Sequence, residues 1–296
     1  MKKCITLLMI ITVWYSTGFS QSFNHEEKQN KASLLLGKIN KEALSKAPYA
    51  DWFTKGYDQY IPDAGVINTL QEQLSSYTIT AFMGTWCGDS KRETPRLYKI
   101  LDASQFPLDR LTLIAVARNA EAYKQSPGGE HEGMNIHRVP TIIISKNGKE
   151  VNRIVESPVV SLEQDILDII ENNYTPNHHI VTLTNNLLVD LGAEKLIKKS
   201  KKNLKELQKH AQKTSQLNTY ASVLFYAGQT EEAIAVLQLN ILLYPEEMST
   251  YSSLASKYAK LDKSSEALES YQKALVLQPD NKKIQAAINT LKENIK

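Results

Sequence analysis

The stretch from residue 78 to residue 102 constrains the fold of this chain more than any other part. Thr78–Gly84 is mostly β-branched or apolar, which predicts a buried strand. Residues 91–102 have the pattern of a helix, and the turn Thr85–Ser90 between the two elements contains Cys87. A cysteine at such a turn meets the unpaired amides and the positive end of the helix, and both favour the thiolate. The stretch predicts an α/β unit built around a thiol at a helix start.

The first twenty residues predict that this thiol has no cysteine partner in the mature chain. Met1 and two lysines precede an apolar run of about a dozen residues and then small residues up to Ser20, the layout of a cleaved secretory signal peptide over residues 1–20. An uncleaved anchor is the alternative, although the run is shorter than the roughly 20 residues of a membrane span. Cleavage would remove Cys4, so we expect an exported protein, periplasmic or extracellular, with Cys87 as its single thiol.

The 296 residues suffice for about two domains, and the composition, 42% hydrophobic and 23% charged, is that of a folded protein. The formal net charge is +3 and falls to +1 without the two lysines of the signal peptide, which gives no reason to expect a nucleic-acid partner.

Around the cysteine turn, the patterns predict an α/β domain with a mixed sheet. Residues 21–63 read as an N-terminal helical extension that includes 31–40, and Asp63 is predicted to cap a helix over 63–75. Further strands are predicted at 111–117, 140–145 and 150–155, the last two joined by an Asn-Gly hairpin. A final helix over 161–170 starts with Ser161 and Gln164 at capping-box spacing.

Residues 64–174 resemble a thioredoxin domain. The segment Trp86–Ser90 matches that family's Trp-Cys-Gly-x-Cys turn, Pro95 falls at the position of its helix-kinking proline, and Val139-Pro140-Thr141 matches its cis-proline segment. The resemblance implies that Cys87 is the nucleophile and that Ser90 hydrogen-bonds its sulfur. It also implies that Trp86, Val139 and Pro140 bind substrate, with backbone near Pro140 pairing an extended chain.

Two departures argue against ordinary dithiol thioredoxin activity. Ser90 replaces the second cysteine of the family's turn. Ala81 replaces the buried acid that thioredoxins have six residues before the first cysteine. Disulfide reduction needs a second thiolate to resolve the mixed disulfide, so that step would require an external thiol.

The C-terminal part, residues 216–296, contains two copies of a 34-residue repeat and then a closing helix over 281–294. Aligned pairs are Leu217 with Tyr251, Ala221 with Ala255, Ala233 with Ala267, Leu237 with Tyr271 and Pro245 with Pro279. These positions resemble tetratricopeptide repeats (TPRs), which implies an all-α region that binds a peptide or protein. Two repeats are fewer than independent stability usually needs, so the helical connection over 175–215, the α/β domain or another chain should cover an open face.

The remaining candidates predict no metal site and no cofactor. Adjacent His178 and His179 read as surface histidines, and the eight lysines between residues 195 and 213 read as a solvated helix face. Either His131 or His137 is a candidate to approach Cys87 and stabilise its thiolate.

Two classes of function follow. In the first, the chain is an exported monothiol protein whose Cys87 forms a mixed disulfide with a protein or a small thiol, and whose repeats bind a protein. In the second, the thioredoxin-like domain and the repeats form a non-catalytic scaffold of the cell envelope.

Overall fold

The computed structural model describes residues 23–29 and 32–294. The predicted signal peptide, residues 1–20, lies outside the described residues. No helix in the described ranges combines the length and the apolar character that crossing a membrane requires.

A mixed six-stranded sheet followed by a helical region forms the architecture, in agreement with the predicted order of an α/β part and an all-α part. The strands, in chain order, are β1 (His25–Gln29), β2 (Ala32–Ile39), β3 (Thr78–Met83), β4 (Leu111–Ala115), β5 (Thr141–Lys146) and β6 (Lys149–Val155). Their spatial order is β1-β2-β4-β3-β5-β6, in which β3 and β4 are parallel and the other neighbours are antiparallel.

The prediction of a helical extension over 21–63 is wrong for its first part, because residues 25–29 form β1 and residues 32–39 of the predicted helix over 31–40 form β2. Leu34, Leu35 and Leu36 are each nearly inaccessible to solvent, and the strand pairs with β1 on one side and β4 on the other. A run of apolar residues that is covered on both faces of a sheet has no alternation to distinguish it from a buried helix. Tertiary pairing therefore overrides the helical propensity of leucine. The rest of the N-terminal extension includes two helices.

Five helices accompany the sheet: α1 (Lys41–Leu44), α2 (Ala50–Gln59), α3 (Ala64–Gln73), α4 (Gly88–Ala103) and α5 (Leu162–Ile170). One face of the sheet packs on helices α2 to α5, with Ile79 and Met83 of β3 facing Leu97 and Ile166 in one buried cluster.

A close approach between α2 and α4 occurs at the predicted helix proline. A Cβ at Gly56 would lie 2.7 Å from Cγ of Pro95, so the absence of a side chain at Gly56 allows the two helices to meet at this point.

Local predictions that rest on turn and cap chemistry are confirmed. Asp63 accepts a hydrogen bond from the Val66 amide (2.9 Å), and Ser161 accepts one from the Gln164 amide (3.3 Å). Asn147 and Gly148 both have positive φ, 53° and 75°, as a two-residue hairpin turn requires. The predicted cis peptide bond between Val139 and Pro140 is present.

Seven helices follow: α6 (His179–Leu191), α7 (Ala193–His210), α8 (Thr214–Tyr226), α9 (Thr230–Leu243), α10 (Met248–Lys260), α11 (Ser264–Leu277) and α12 (Lys282–Asn294). The pairs α8–α9 and α10–α11 begin 34 residues apart, as the period predicts. Side chains of α6 and α7, among them Val181 and Leu196, share one buried cluster with Leu217 and Val236. The helical connection, α6 and α7, therefore covers the open face of the pair α8–α9, as expected. All eight lysines between residues 195 and 213 are exposed.

Candidate functional site

Cys87 is the N-cap residue of α4 and is separated from the end of β3 at Met83 by a short turn. Its amide donates to Gly84 O (2.9 Å), and its own carbonyl accepts the Lys91 amide (3.0 Å) in the first turn of the helix. The side chain is a free thiol and is partly exposed. Cys87 thus lies at the start of a sixteen-residue helix and within reach of solvent, and its side chain makes no capping hydrogen bond to the helix amides.

Ser90 has a different partner from the one predicted. It is fully buried, and its hydroxyl oxygen accepts a hydrogen bond from the Gly84 amide (3.1 Å). The hydrogen bond that the structure gives the thiol of Cys87 goes to the carbonyl of Val139 instead (3.2 Å). Ser90 therefore ties the first turn of α4 to the end of the strand.

The segment from Arg138 to Pro140 brings a backbone carbonyl to the sulfur. The carbonyls on either side have other donors, because Arg138 O accepts from the Thr141 hydroxyl (2.7 Å) and Pro140 O from the Glu156 amide (2.8 Å). The Val139 carbonyl faces the thiol between them. Three of the predicted site residues, Cys87, Val139 and Pro140, therefore lie together.

Trp86 flanks the thiol turn and closes the second face of the sheet. Its indole Nε1 donates to Val116 O (2.9 Å), and its ring packs with Cys87 against the buried side chains of Phe82 and Val139. The indole also explains Gly84, where a Cβ would lie only 2.6 Å from the ring. The ring position is therefore fixed by a hydrogen bond and by the lack of a side chain beneath it.

Lys124 is a site residue that the sequence patterns do not reveal. It is only 5% exposed, and its ammonium donates to His137 O (2.7 Å). The pKa of Lys124 is lowered to about 7, mainly by burial and also by the nearby Arg138, against the opposing charges of Glu156 and Cys87. The neighbouring Tyr123 also interacts with the charge of Cys87, although burial is the main reason that its pKa is raised.

The two histidines predicted to approach Cys87 have other surroundings. His131 Nδ1 accepts the Ser126 amide (3.1 Å). His137 is buried, its ring lies edge-on to those of His178 (5.9 Å) and Tyr220 (6.1 Å), and its Nδ1 lies 3.3 Å from Asn135 O. Burial, with the charges nearby, lowers the pKa of His137 to about 3, so its imidazole is neutral in the folded protein at ordinary pH.

A carboxylate beside the cis-proline segment connects the sheet to the helical region. Glu156 Oε1 accepts from Arg138 Nη1 (2.7 Å), and Glu156 Oε2 lies 2.8 Å from His178 Nε2. Arg138 Nη2 also donates to the carbonyl of Ser215 in α8 (3.2 Å). The hydrogen bond with His178 and the charge of Arg138 lower the pKa of Glu156 to about 2 against the effect of burial.

The interpretation of His178 and His179 as surface histidines is therefore wrong for His178. Its side chain is 12% exposed and is held by Glu156, and the His179 ring packs on the ring of His210 at 5.0 Å. In the part of the chain that the structure describes, His, Cys, Asp and Glu side chains nowhere gather in threes in a way that would hold a metal ion.

Comparisons with known proteins add no family to this geometry. No protein-family model matches the chain, and no curated protein matches it significantly in sequence.

Proposed function

We propose that this chain is an exported, thioredoxin-like monothiol protein that forms a mixed disulfide through Cys87 and binds a protein through its TPR-like helices. The observation that supports this most is the position of the thiol. Cys87 caps a long helix, is partly exposed, and faces a carbonyl that precedes a cis proline.

The exchange step needs only the thiolate of Cys87 and a disulfide. The sulfur attacks one sulfur of the disulfide, a bond forms between them, and the other sulfur leaves as a thiolate with the bonding electron pair. The proton of the Cys87 thiol passes to solvent. The start of α4 and a protonated Lys124 would both stabilise the attacking thiolate.

Release of the partner then depends on an external thiol. Ser90 stands where a second cysteine would have to be, and its hydroxyl is engaged with the Gly84 amide. The mixed disulfide would therefore persist until a protein or small thiol attacks it. The backbone at Val139 and Pro140, with the Trp86 ring beside it, is the proposed docking surface for an extended substrate.

A non-catalytic scaffold of the cell envelope is the second candidate. The thiol hydrogen bond to Val139 O supports it, because only the protonated form of Cys87 can donate that bond. Ala81, which takes the place of the acid that the family resemblance implies, supports it as well. As a scaffold, the protein would recruit a partner through its TPR-like helices while Cys87 remains a thiol.

Intact-mass spectrometry after mixing the protein with a small disulfide distinguishes these candidates. Protein carrying Cys4→Ser should acquire one adduct per chain, and the adduct should remain until a thiol is added. The matched Cys4→Ser/Cys87→Ser protein should acquire none. Folded protein that acquires no adduct at Cys87 after prolonged incubation would favour the scaffold.

A further inference from the structure

The outward side of α7 carries a dense group of lysines. Seven lysines of this helix are exposed to solvent and, at 3.6 residues per turn, they fall within an arc of about 160° around the helix axis. We call this surface the lysine face, and its members are Lys195, Lys198, Lys199, Lys201, Lys202, Lys205 and Lys209.

The opposite side of α7 is buried in the protein. Leu196 and Ser200 have no exposure to solvent, and Leu207 is nearly inaccessible. Leu196 and Leu207 share one buried cluster with Val181 of α6 and Val236 of α9. The lysine face is therefore the side of α7 that is left to meet a partner.

Positive charge is concentrated on this one helix. α7 contains seven lysines and two glutamates and no other acidic residue or arginine, so its net charge is +5. The whole chain has a formal net charge of +3, and the rest of the chain is therefore at −2. A single-signed surface on a protein that is otherwise slightly acidic attracts polyanions toward that surface.

The charges of the lysine face are almost all unpaired. Among the described residues, Lys209 is the one member of the face with an ion pair, to Glu206 at 2.5 Å. The lysines follow one another at three- and four-residue spacing, where like charges repel and destabilise a helix. Solubility alone is served by charges of mixed sign. The repulsion would be relieved by an anionic surface outside the chain.

The chemistry of the face favours a broad anionic surface over a single anionic group or a nucleic acid. An ammonium is a point charge without the planar fork with which arginine recognises one phosphate or carboxylate. The face has no aromatic side chain on which a base could stack, and the ring of His210 packs on that of His179 (5.0 Å). The face is also the convex ridge of a helix about 27 Å long, which has no groove for an extended acidic peptide.

We propose that the lysine face holds the protein against a membrane surface that contains anionic phospholipids. Lipid phosphates lie side by side in one plane and move laterally, so several lysines meet them at once without a fixed geometry. Each lysine near such a surface strengthens binding about fivefold. The apolar side of α7 is occupied within the protein, so the contact is made by charge and is reversed by salt. The proposal does not depend on the chemistry of Cys87.

Co-sedimentation with lipid vesicles tests the proposal. The chain is made from Gln21 onward, because the apolar run before it would bind any vesicle, and every described residue is kept. The protein should pellet with vesicles of phosphatidylcholine that contain about one third phosphatidylglycerol and should stay in the supernatant with phosphatidylcholine alone. Raising sodium chloride from about 50 mM to about 500 mM should release it.

Glutamine at four positions of the face removes the attraction and keeps the helix, because glutamine and lysine have similar helix propensities. Lys198→Gln, Lys202→Gln, Lys205→Gln and Lys209→Gln together should weaken binding to the anionic vesicles by at least about fiftyfold. Arginine at the same four positions should retain the binding. If the fourfold glutamine variant does not fold by circular dichroism, Lys198→Gln/Lys202→Gln takes its place, with an expected loss of about twentyfold.

A matched control removes the same number of exposed charges elsewhere. Lys149→Gln, Lys282→Gln, Lys283→Gln and Lys292→Gln together give the same net charge and should weaken binding by less than about threefold. Equal binding of the two fourfold variants would overturn the proposal. So would binding that persists at high salt or that is as strong with neutral vesicles.

Other polyanions are examined as competitors. A protein that binds short duplex DNA or polyglutamate more tightly than the anionic vesicles would overturn the membrane as the partner and would assign the face to a nucleic acid or an acidic protein. Cys87→Ser should bind the vesicles as the wild type does, so this result is independent of the disulfide-adduct experiment.

Discussion

Replacing Glu156 with alanine should destabilise the protein by about 2–3 kcal/mol of unfolding free energy, because Arg138 and His178 lose a common partner. The value lies below that for a fully buried pair because the Glu156 side chain is 28% exposed. Arg138 would keep its bond to Ser215 O, but its charge would be left largely unpaired. Chemical denaturation followed by circular dichroism measures the change.

Two other variants show whether the charge of Glu156 is responsible. Glu156→Gln keeps the size and one acceptor and should be less destabilising than alanine. Glu206→Ala removes an exposed carboxylate of α7 whose partners are Lys209 and His210, and it should leave stability unchanged. A Glu156→Ala protein as stable as the Glu206→Ala protein would show that the ion pairs do not join the sheet to the helical region.

The free energy of unfolding should fall as the pH is lowered below 6.5, and His137 should account for much of the decline. The folded protein keeps this imidazole neutral because its pKa is about 3, whereas the unfolded chain binds a proton near pH 6.5. The unfolded state thus binds more protons between these values, so stability decreases as the pH falls and the loss ends near pH 3. From pH 7 to 4.5 the contribution of His137 is about 2.5 kcal/mol.

His137→Phe isolates this contribution, because the position keeps an aromatic ring and loses the titrating imidazole. Its unfolding free energy should change less over that pH range than that of the wild type, by about 2.5 kcal/mol. The comparison is needed because burial lowers the pKa values of His131 and His179 as well. Protonation of Glu156 follows at lower pH, between about 4.5 and 2. Parallel pH profiles for the two proteins would contradict the buried, neutral state of His137.

Features that depend on neighbours in the sequence could be predicted. The Asn147-Gly148 hairpin, the Asp63 cap and the start of α4 after Cys87 rest on local backbone chemistry, and the structure contains them. The 34-residue spacing of the helices followed from the repeat. The strand β2 could not be predicted, because a run of leucines buried on both faces of a sheet shows no alternation of apolar and polar residues.

Contacts between distant residues could not be predicted. Lys124 lies between β4 and β5 in a segment rich in polar residues and glycine, yet its ammonium is buried against the carbonyl of His137. Only the docking of the helical region buries His178 and brings it to Glu156, twenty-two residues away. Ser90 was expected to hydrogen-bond the sulfur of Cys87, but its hydroxyl oxygen accepts a hydrogen bond from the Gly84 amide instead.

The pH dependence of Cys87 alkylation tests the proposed thiol chemistry most directly. Iodoacetamide rates would be measured from pH 5 to 10 on Cys4→Ser protein, with the Cys4→Ser/Cys87→Ser protein as the blank. We predict that Cys87 of the folded protein is alkylated faster than the same cysteine in urea-unfolded protein in the acidic half of this range, because the thiolate meets the start of α4 and the Lys124 ammonium. Alkylation of the folded protein that is no faster than that of the unfolded chain at any pH would contradict an activated Cys87 and would leave the scaffold as the function of this chain.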